Sequence, residues 1–310
     1  MIDNLFQLAR FEDRLSFLYV ERGRIEQDAQ AVAFVTETQR VPIPAADLAV
    51  LLLGPGTTIT HRAMCNLAEC NCTVIWCGEN GVRVYAHGRG GTHFSANLLR
   101  QAALALNPRT RRQVVLRMYA KRFGQPLDPA TPIRTVRAKE GYRVRQAYQS
   151  YAARFGIPWK GRRFDPDDWS SGDPVNRALS TASACLNGLV HAAIISGGYS
   201  PAIGFIPTGK MLSFVYDIAD LYKVEQIVPL AFQTAAESAH DVESRVRLAC
   251  RDHFRQVRLM QRILPEIREV LDGAHDPGTS PPASAGGSES LDDRTQGRDL
   301  PWSHDSPSPG

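Results

Sequence analysis

The pattern of apolar and polar positions changes character about a third of the way along the chain. Residues 15–20, 31–36, 48–53 and 72–77 are short runs rich in β-branched and aromatic side chains, which predict strands. Glu21-Arg22-Gly23-Arg24, Gly54-Pro55-Gly56 and Glu79-Asn80-Gly81 punctuate them. Asn80-Gly81, between apolar residues 74–76 and 82–85, predicts a hairpin, because a type I′ turn needs positive φ at both central positions. Residues 61–70 predict a short helix inside this sheet region. The glycine-rich stretch 87–93 has the composition of a flexible linker.

Beyond it the period becomes helical. Residues 95–106 and 111–123 are amphipathic, and 131–155 predicts a long helix beginning near Pro132, where proline suits a first turn. Asp173-Pro174 opens another, running to Ile195 with many small residues. Residues 241–271 predict a long basic helix pair broken near Pro265. From residue 274 onward Pro, Gly, Ser and Asp dominate. Such a segment buries too little apolar area to offset its ordering entropy, which predicts a disordered tail. The expected fold is α+β: a β-rich domain at 1–86, a linker at 87–94, a larger all-helical domain at 95–273 and a tail at 274–310. No internal repeat is visible.

Composition narrows the function. With 43% hydrophobic and 22% charged residues, the 310-residue chain has the make-up of a globular protein. Net charge is +4, but the last 37 residues hold six acids against Arg294 and Arg298, which leaves about +8 on the rest and favours a polyanionic partner. Charged residues at 3, 10, 12, 13 and 14 interrupt any signal-like run, and His191, Gly197, Gly198 and Pro201 break the apolar segment 186–206. A cytoplasmic location and no membrane partner follow as expectations. Cys65, Cys70, Cys72 and Cys77 are spaced C-x4-C-x-C-x4-C, unlike the paired C-x2-C of zinc sites, so they read as buried thiols.

The candidate chemistry lies late in the chain. In and just after residues 208–220, Leu212, Val215, Ala219 and Tyr222 mark one buried helix face, and Ser213, Asp217 and Asp220 share a neighbouring stripe. Two carboxylates on a half-buried stripe call for a proton or a cation, and a hard divalent ion prefers such oxygens. Spacing alone leaves open that the acids face water or pair with arginines. Gly204 to Lys210 satisfies part of a phosphate-binding loop, but Met211 stands where its magnesium-binding Ser or Thr would be, so nucleotide binding is rejected. Glu140 lies among Arg134, Arg137, Lys139, Arg143 and Arg145, where a solvated salt bridge is the plain alternative.

Residues 201–220 (PAIGFIPTGKMLSFVYDIAD), 137–145 (RAKEGYRVR), 159–169 (WKGRRFDPDDW) and 246–254 (VRLACRDHF) carry a resemblance covering nearly everything before the tail. The chain resembles the CRISPR-associated integrase, the catalytic subunit that inserts new spacers into a CRISPR array, in its Cascade-linked subtype I-E branch. The resemblance implies a metal-dependent DNA endonuclease and integrase acting by phosphodiester transesterification. It makes Glu140, Asp217 and Asp220 the catalytic, metal-binding carboxylates for Mg²⁺ or Mn²⁺. It places Arg83, Arg111, Arg162, Arg163 and Lys210 on the DNA path, where arginine forks pair well with phosphate. The Arg162-Arg163 pair between Trp159 and Trp169 suits strand ends.

The implied partners are a prespacer (double-stranded DNA with single-stranded 3′ ends), CRISPR repeat DNA, a second copy in a homodimer, and a small ferredoxin-like CRISPR-associated subunit. Three positions depart from the family pattern. Pro207 stands where the family has a metal-binding His, Arg22 replaces an aromatic at the DNA fork, and Asn187 replaces an aromatic near the site. His191 and His253 read as core or surface histidines. Two other readings stay open: a DNA-binding scaffold of the same complex weakened by Pro207, and an unrelated helical metal-dependent nuclease.

Overall fold

The computed structural model describes residues 17–28, 31–79, 84–88, 95–162 and 173–273, which fall in one compact unit. The turn at Asn80-Gly81, most of the glycine-rich linker and the tail from 274 lie outside the described residues.

The architecture is α+β, with the strands first and the helices after. The strands are β1 (Leu18–Val20), β2 (Gly23–Asp28), β3 (Ala31–Val35), β4 (Arg40–Ile43), β5 (Val50–Leu53), β6 (Thr57–Ile59), β7 (Thr73–Cys77) and β8 (Val84–His87). One sheet has the order β4-β3-β2-β6 and the other β1-β5-β7-β8. β1, β5 and β7 are parallel, and β8 runs antiparallel to β7 with Cys77 opposite Val84, as a hairpin requires.

The second sheet is apolar on both faces, which is why β5 reads as an unbroken Val-Leu-Leu-Leu run. Leu51, Leu53 and Val74 point into a small core with Ile25, Val32, Ile43 and, from helix α1 (His61–Glu69), Ala63 and Leu67. Val50, Leu52, Ile75 and Cys77 point the other way, into the core shared with the helices. The alternation of a strand thus joins the β region to the helical region through a single layer.

Three strands escape the apolar-run criterion for separate reasons. β2 starts inside the 21–24 stretch that looks like pure punctuation. Arg22 turns the chain there with φ 55, and a Cβ on Gly23 would meet the Phe34 ring at 2.4 Å. β4 carries Pro42, tolerable because β4 is an edge strand. β6 is Thr-Thr-Ile and forms by pairing parallel to β2.

The remaining helices are α2 (Ala96–Leu106), α3 (Pro108–Phe123), α4 (Ile133–Phe155), α5 (Pro174–Ser196), α6 (Ser213–Ala219), α7 (Val228–Glu237), α8 (Val242–Gln256) and α9 (Leu259–Asp272). α3 begins three residues earlier than its pattern suggests. Asn107 caps it by accepting a bond from the Arg109 amide at 2.9 Å, and Pro108 takes the first turn. α3 and α4 both end on glycines in the left-handed region, Gly124 and Gly156.

The expected break near Pro265 is not there. The chain turns at Arg258, with φ 48, and Pro265 sits inside α9. Seven apolar side chains of α9 are buried, at about 1.5–3 kcal/mol each, which outweighs the roughly 3 kcal/mol an internal proline costs.

α5 is the central helix, packed by α6, α7, α8 and α9. By length and hydropathy it could cross a membrane, but 72% of its apolar window is buried within the protein. The six cysteines form no disulfide, and no group of three or more His, Cys, Asp or Glu able to hold a metal occurs among the described residues.

Candidate active site

The loop at 201–212 and the short helix α6 after it are locked together by close backbone contacts. Gly209 adopts φ +83, which keeps 208–210 out of the helix and leaves α6 only seven residues. A Cβ on Gly204 would lie 2.6 Å from both the Pro207 carbonyl oxygen and the Ser213 Cβ. The Ser213 hydroxyl donates to the Lys210 carbonyl at 2.8 Å and accepts from its amide at 3.1 Å.

Asp217 completes this lock. It is fully buried, and its carboxylate accepts the Phe205 amide at 2.6 Å and the Ile206 amide at 3.2 Å. Burial pushes its pKa up to about 7, against the two amides and Arg122, which pull it down; Asp220 adds a smaller upward push. Asp217 therefore fixes the backbone just before Pro207.

Glu140 and Asp220 come from distant elements and face one cation. Glu140, on α4, receives two nearly parallel bonds from Arg143, at 2.9 and 3.0 Å, and its side chain is only 14% exposed. Asp220, at the C-terminal end of α6, is 43% exposed, and Lys223 Nζ approaches it at 3.9 Å. Between them lies Arg122 from the last turn of α3. Its Nη1 is 3.9 Å from Glu140 Oε1 and 3.7 Å from Asp220 Oδ2.

Arg122 is held in place by the interior. Its side chain is 4% exposed, Nη2 donates to the Asp217 carbonyl at 3.1 Å, and its guanidinium lies 5.2 Å from the Tyr119 ring centre. Sequence reasoning missed this residue. A lone Arg in the last turn of a basic helix looks like ordinary dipole complementation.

Of the three expected carboxylates, the structure brings Glu140 and Asp220 to one point and turns Asp217 toward backbone amides. Two carboxylates suit a hard cation such as Mg²⁺ that completes its shell with water and substrate phosphate. Pro207, where the resemblance puts a His ligand, offers no side-chain donor.

The expected DNA-path residues separate into groups. Arg111 donates Nε and Nη2 to the Phe205 carbonyl, at 2.9 and 2.8 Å, and so braces the same loop that Asp217 holds. Arg162 is bonded to Asn176 and Ser180 on α5, and burial lowers its pKa. Lys210 is exposed beside the carboxylates' helix. Arg83 and Arg163 lie outside the described residues. Arg22 is exposed at its turn, and Asn187 is half-buried on α5. His191 is pushed down to about 4 by burial and by His87, and His253 contacts Gln226 at 2.6 Å, so both are packing residues. An apolar groove of about 990 Å³, lined by Phe17, Phe34, Val41, Phe254 and Met260, contains none of the carboxylates.

Comparison with known proteins sets this geometry in a class. No protein-family model matches the chain. It is 45% identical over 299 residues to the CRISPR-associated endonuclease Cas1 2 of Thermus thermophilus, covering 95% of this chain and 92% of that protein. It is 42% identical over 275 residues to the CRISPR-associated endonuclease Cas1 of Escherichia coli, covering 88% and 90%. Among solved structures, that of a TtCas1–DNA complex matches with a TM-score of 0.75 and 47% identity, covering 86% of this chain and 100% of the other. A casposase bound to its integration product shares the fold, with a TM-score of 0.52 at 12% identity, covering 83% and 95%.

An α+β chain with a helical carboxylate site and relatives of this kind is a CRISPR-associated nuclease by class. More narrowly, the chain belongs to the Cas1 family of CRISPR-associated endonucleases. The family resemblance and the fold class expected from the sequence both stand.

Proposed function

We propose that the chain is a metal-dependent DNA endonuclease and integrase that inserts spacer DNA into a CRISPR array by phosphodiester transesterification. The observation that carries this is the meeting of Glu140 and Asp220, from helices far apart in sequence, at a partly exposed point flanked by Arg122, Arg143 and Lys223. Glu140 and Asp220 would hold Mg²⁺ or Mn²⁺, which when bound polarises the phosphoryl oxygen and offsets developing charge.

The rest of the work falls to the chain itself. Asp217 and Arg111 hold residues 205–206 rigid from their amide and carbonyl sides, so the loop bearing Lys210 meets the DNA backbone in a set position. Lys210, Arg143 and Lys223 draw a phosphodiester toward the carboxylates. A DNA 3′-hydroxyl attacking in line gives strand transfer, and water in the same place gives cleavage. Arg83, Arg162 and Arg163 extend the DNA path on this reading.

The assembly we propose is a homodimer that joins a small ferredoxin-like CRISPR-associated subunit in the cytoplasm. It would bind a prespacer with single-stranded 3′ ends and the repeat DNA. The test is integration of such a prespacer into a supercoiled plasmid carrying the array, with Mg²⁺ or Mn²⁺ and the small subunit. Covalent half-site products that vanish with EDTA support the proposal. DNA binding with no product at any metal concentration favours the second reading, a scaffold subunit. Pro207 in place of an imidazole ligand is the observation behind that alternative. Family membership removes the remaining alternative, an unrelated helical nuclease, and cleavage retained without binding to the small subunit would mark a nuclease acting outside the proposed assembly.

A further inference from the structure

The two carboxylates already stand among three cations. Within 4 Å of Glu140 and Asp220 stand Arg122, Arg143 and Lys223. Glu225, the other acid acting on Arg143, is exposed and screened by water. Arg122 cannot withdraw, because it is 4% exposed, bonded to the Asp217 carbonyl and packed on Tyr119. Arg143 occupies both oxygens of Glu140. A divalent ion arriving alone therefore finds carboxylates whose charge is compensated and, at Glu140, whose lone pairs are engaged.

We propose that DNA phosphate and the divalent ion bind this site as a coupled pair, the phosphate drawing Arg143 and Lys223 off the carboxylates and adding ligand oxygens. This rests on the site reading given above. A phosphodiester offers Arg143 and Lys223 a new partner, which frees the carboxylate oxygens to face the ion. An all-protein cage of three or more ligands would bind its ion without help, and none exists among the described residues. The coupling also accommodates Pro207: a site that draws part of its shell from substrate depends less on a fourth protein ligand. It favours loading of the site in the DNA complex over loading in the free protein. By linkage, whatever DNA does for the ion, the ion does for DNA at this site.

The test is Mn²⁺ titration of the full chain, followed by the electron paramagnetic resonance signal of free Mn²⁺. It is run with and without a duplex bearing single-stranded 3′ ends, and DNA alone is the blank. The Glu140→Ala complex defines the background. The Glu140-dependent Kd is expected to fall about tenfold or more when DNA is present. Arg143→Met, and separately Arg122→Met, should tighten Mn²⁺ on the DNA-free protein and shrink the effect of DNA. Equal Mn²⁺ affinity with and without DNA overturns the coupling, as does weaker DNA-free binding in a folded Arg143→Met protein. Absence of any Glu140-dependent Mn²⁺ in either state would instead remove the site reading, and the coupling with it.

Discussion

Asp217→Ala separates anchoring from chemistry within one short helix. The substitution removes the acceptor of two backbone amides, Phe205 N at 2.6 Å and Ile206 N at 3.2 Å, and Phe205 is 1% exposed. An unsatisfied buried donor costs about 1–3 kcal/mol, so the pair is worth about 2–6 kcal/mol. That is a large share of the roughly 5–15 kcal/mol by which a domain is stable. Asp220→Ala removes a carboxylate that is 43% exposed and whose nearest cations are 3.7 and 3.9 Å away. Its cost should stay below about 1 kcal/mol. Urea unfolding at pH 8 measures both, read as a shift in midpoint at constant m. Asp217→Ala should move the midpoint several times further than Asp220→Ala, with Asp217→Asn in between. An Asp217→Ala protein as stable as wild type, yet inert in strand transfer, would refute the anchoring role and make Asp217 a direct ligand.

Pro207→His should increase strand transfer, most visibly in Mn²⁺, because an imidazole would join Glu140 and Asp220; unchanged rates in both metals would show that residue 207 is not at the metal. The raised pKa of Asp217 favours the folded state while the carboxyl is protonated. That contribution is complete below about pH 4 and is lost as pH rises to about 7, so wild type should lose stability relative to Asp217→Asn across this window and run parallel to it above. A flat difference in urea midpoints between pH 4 and 7 contradicts it. Removing residues 274–310 should leave melting temperature and the mass of the proposed dimer unchanged, and a drop of more than a few degrees would show that the tail packs.

The division into strands and then helices is legible because it rests on local period. Glycine caps such as Gly124 and Gly156 also announce themselves by type. What stays hidden is decided at a distance. β6 is a strand because β2 lies beside it, and α9 survives Pro265 because its apolar face is covered. At the site, the stripe through Ser213, Asp217 and Asp220 is visible as spacing. Spacing does not reveal that burial commits Asp217 to backbone amides while Asp220 reaches solvent. Glu140 in basic company looks like a salt bridge, and with Arg143 it makes one. Its meeting with Asp220 depends on how α3, α4 and α6 pack, as does the placing of Arg122 between them.

Strand transfer by Glu140→Ala and Asp220→Ala tests the account most directly. Each variant is assayed with prespacer DNA, an array plasmid, the small subunit and Mg²⁺ or Mn²⁺, with DNA binding and dimer mass measured in parallel. The account predicts that both variants bind DNA and dimerise as wild type does, and that covalent product falls at least about a hundredfold in each. Wild-type transfer by Glu140→Ala would contradict it, because the chemistry would then lie away from the point where α4 and α6 meet.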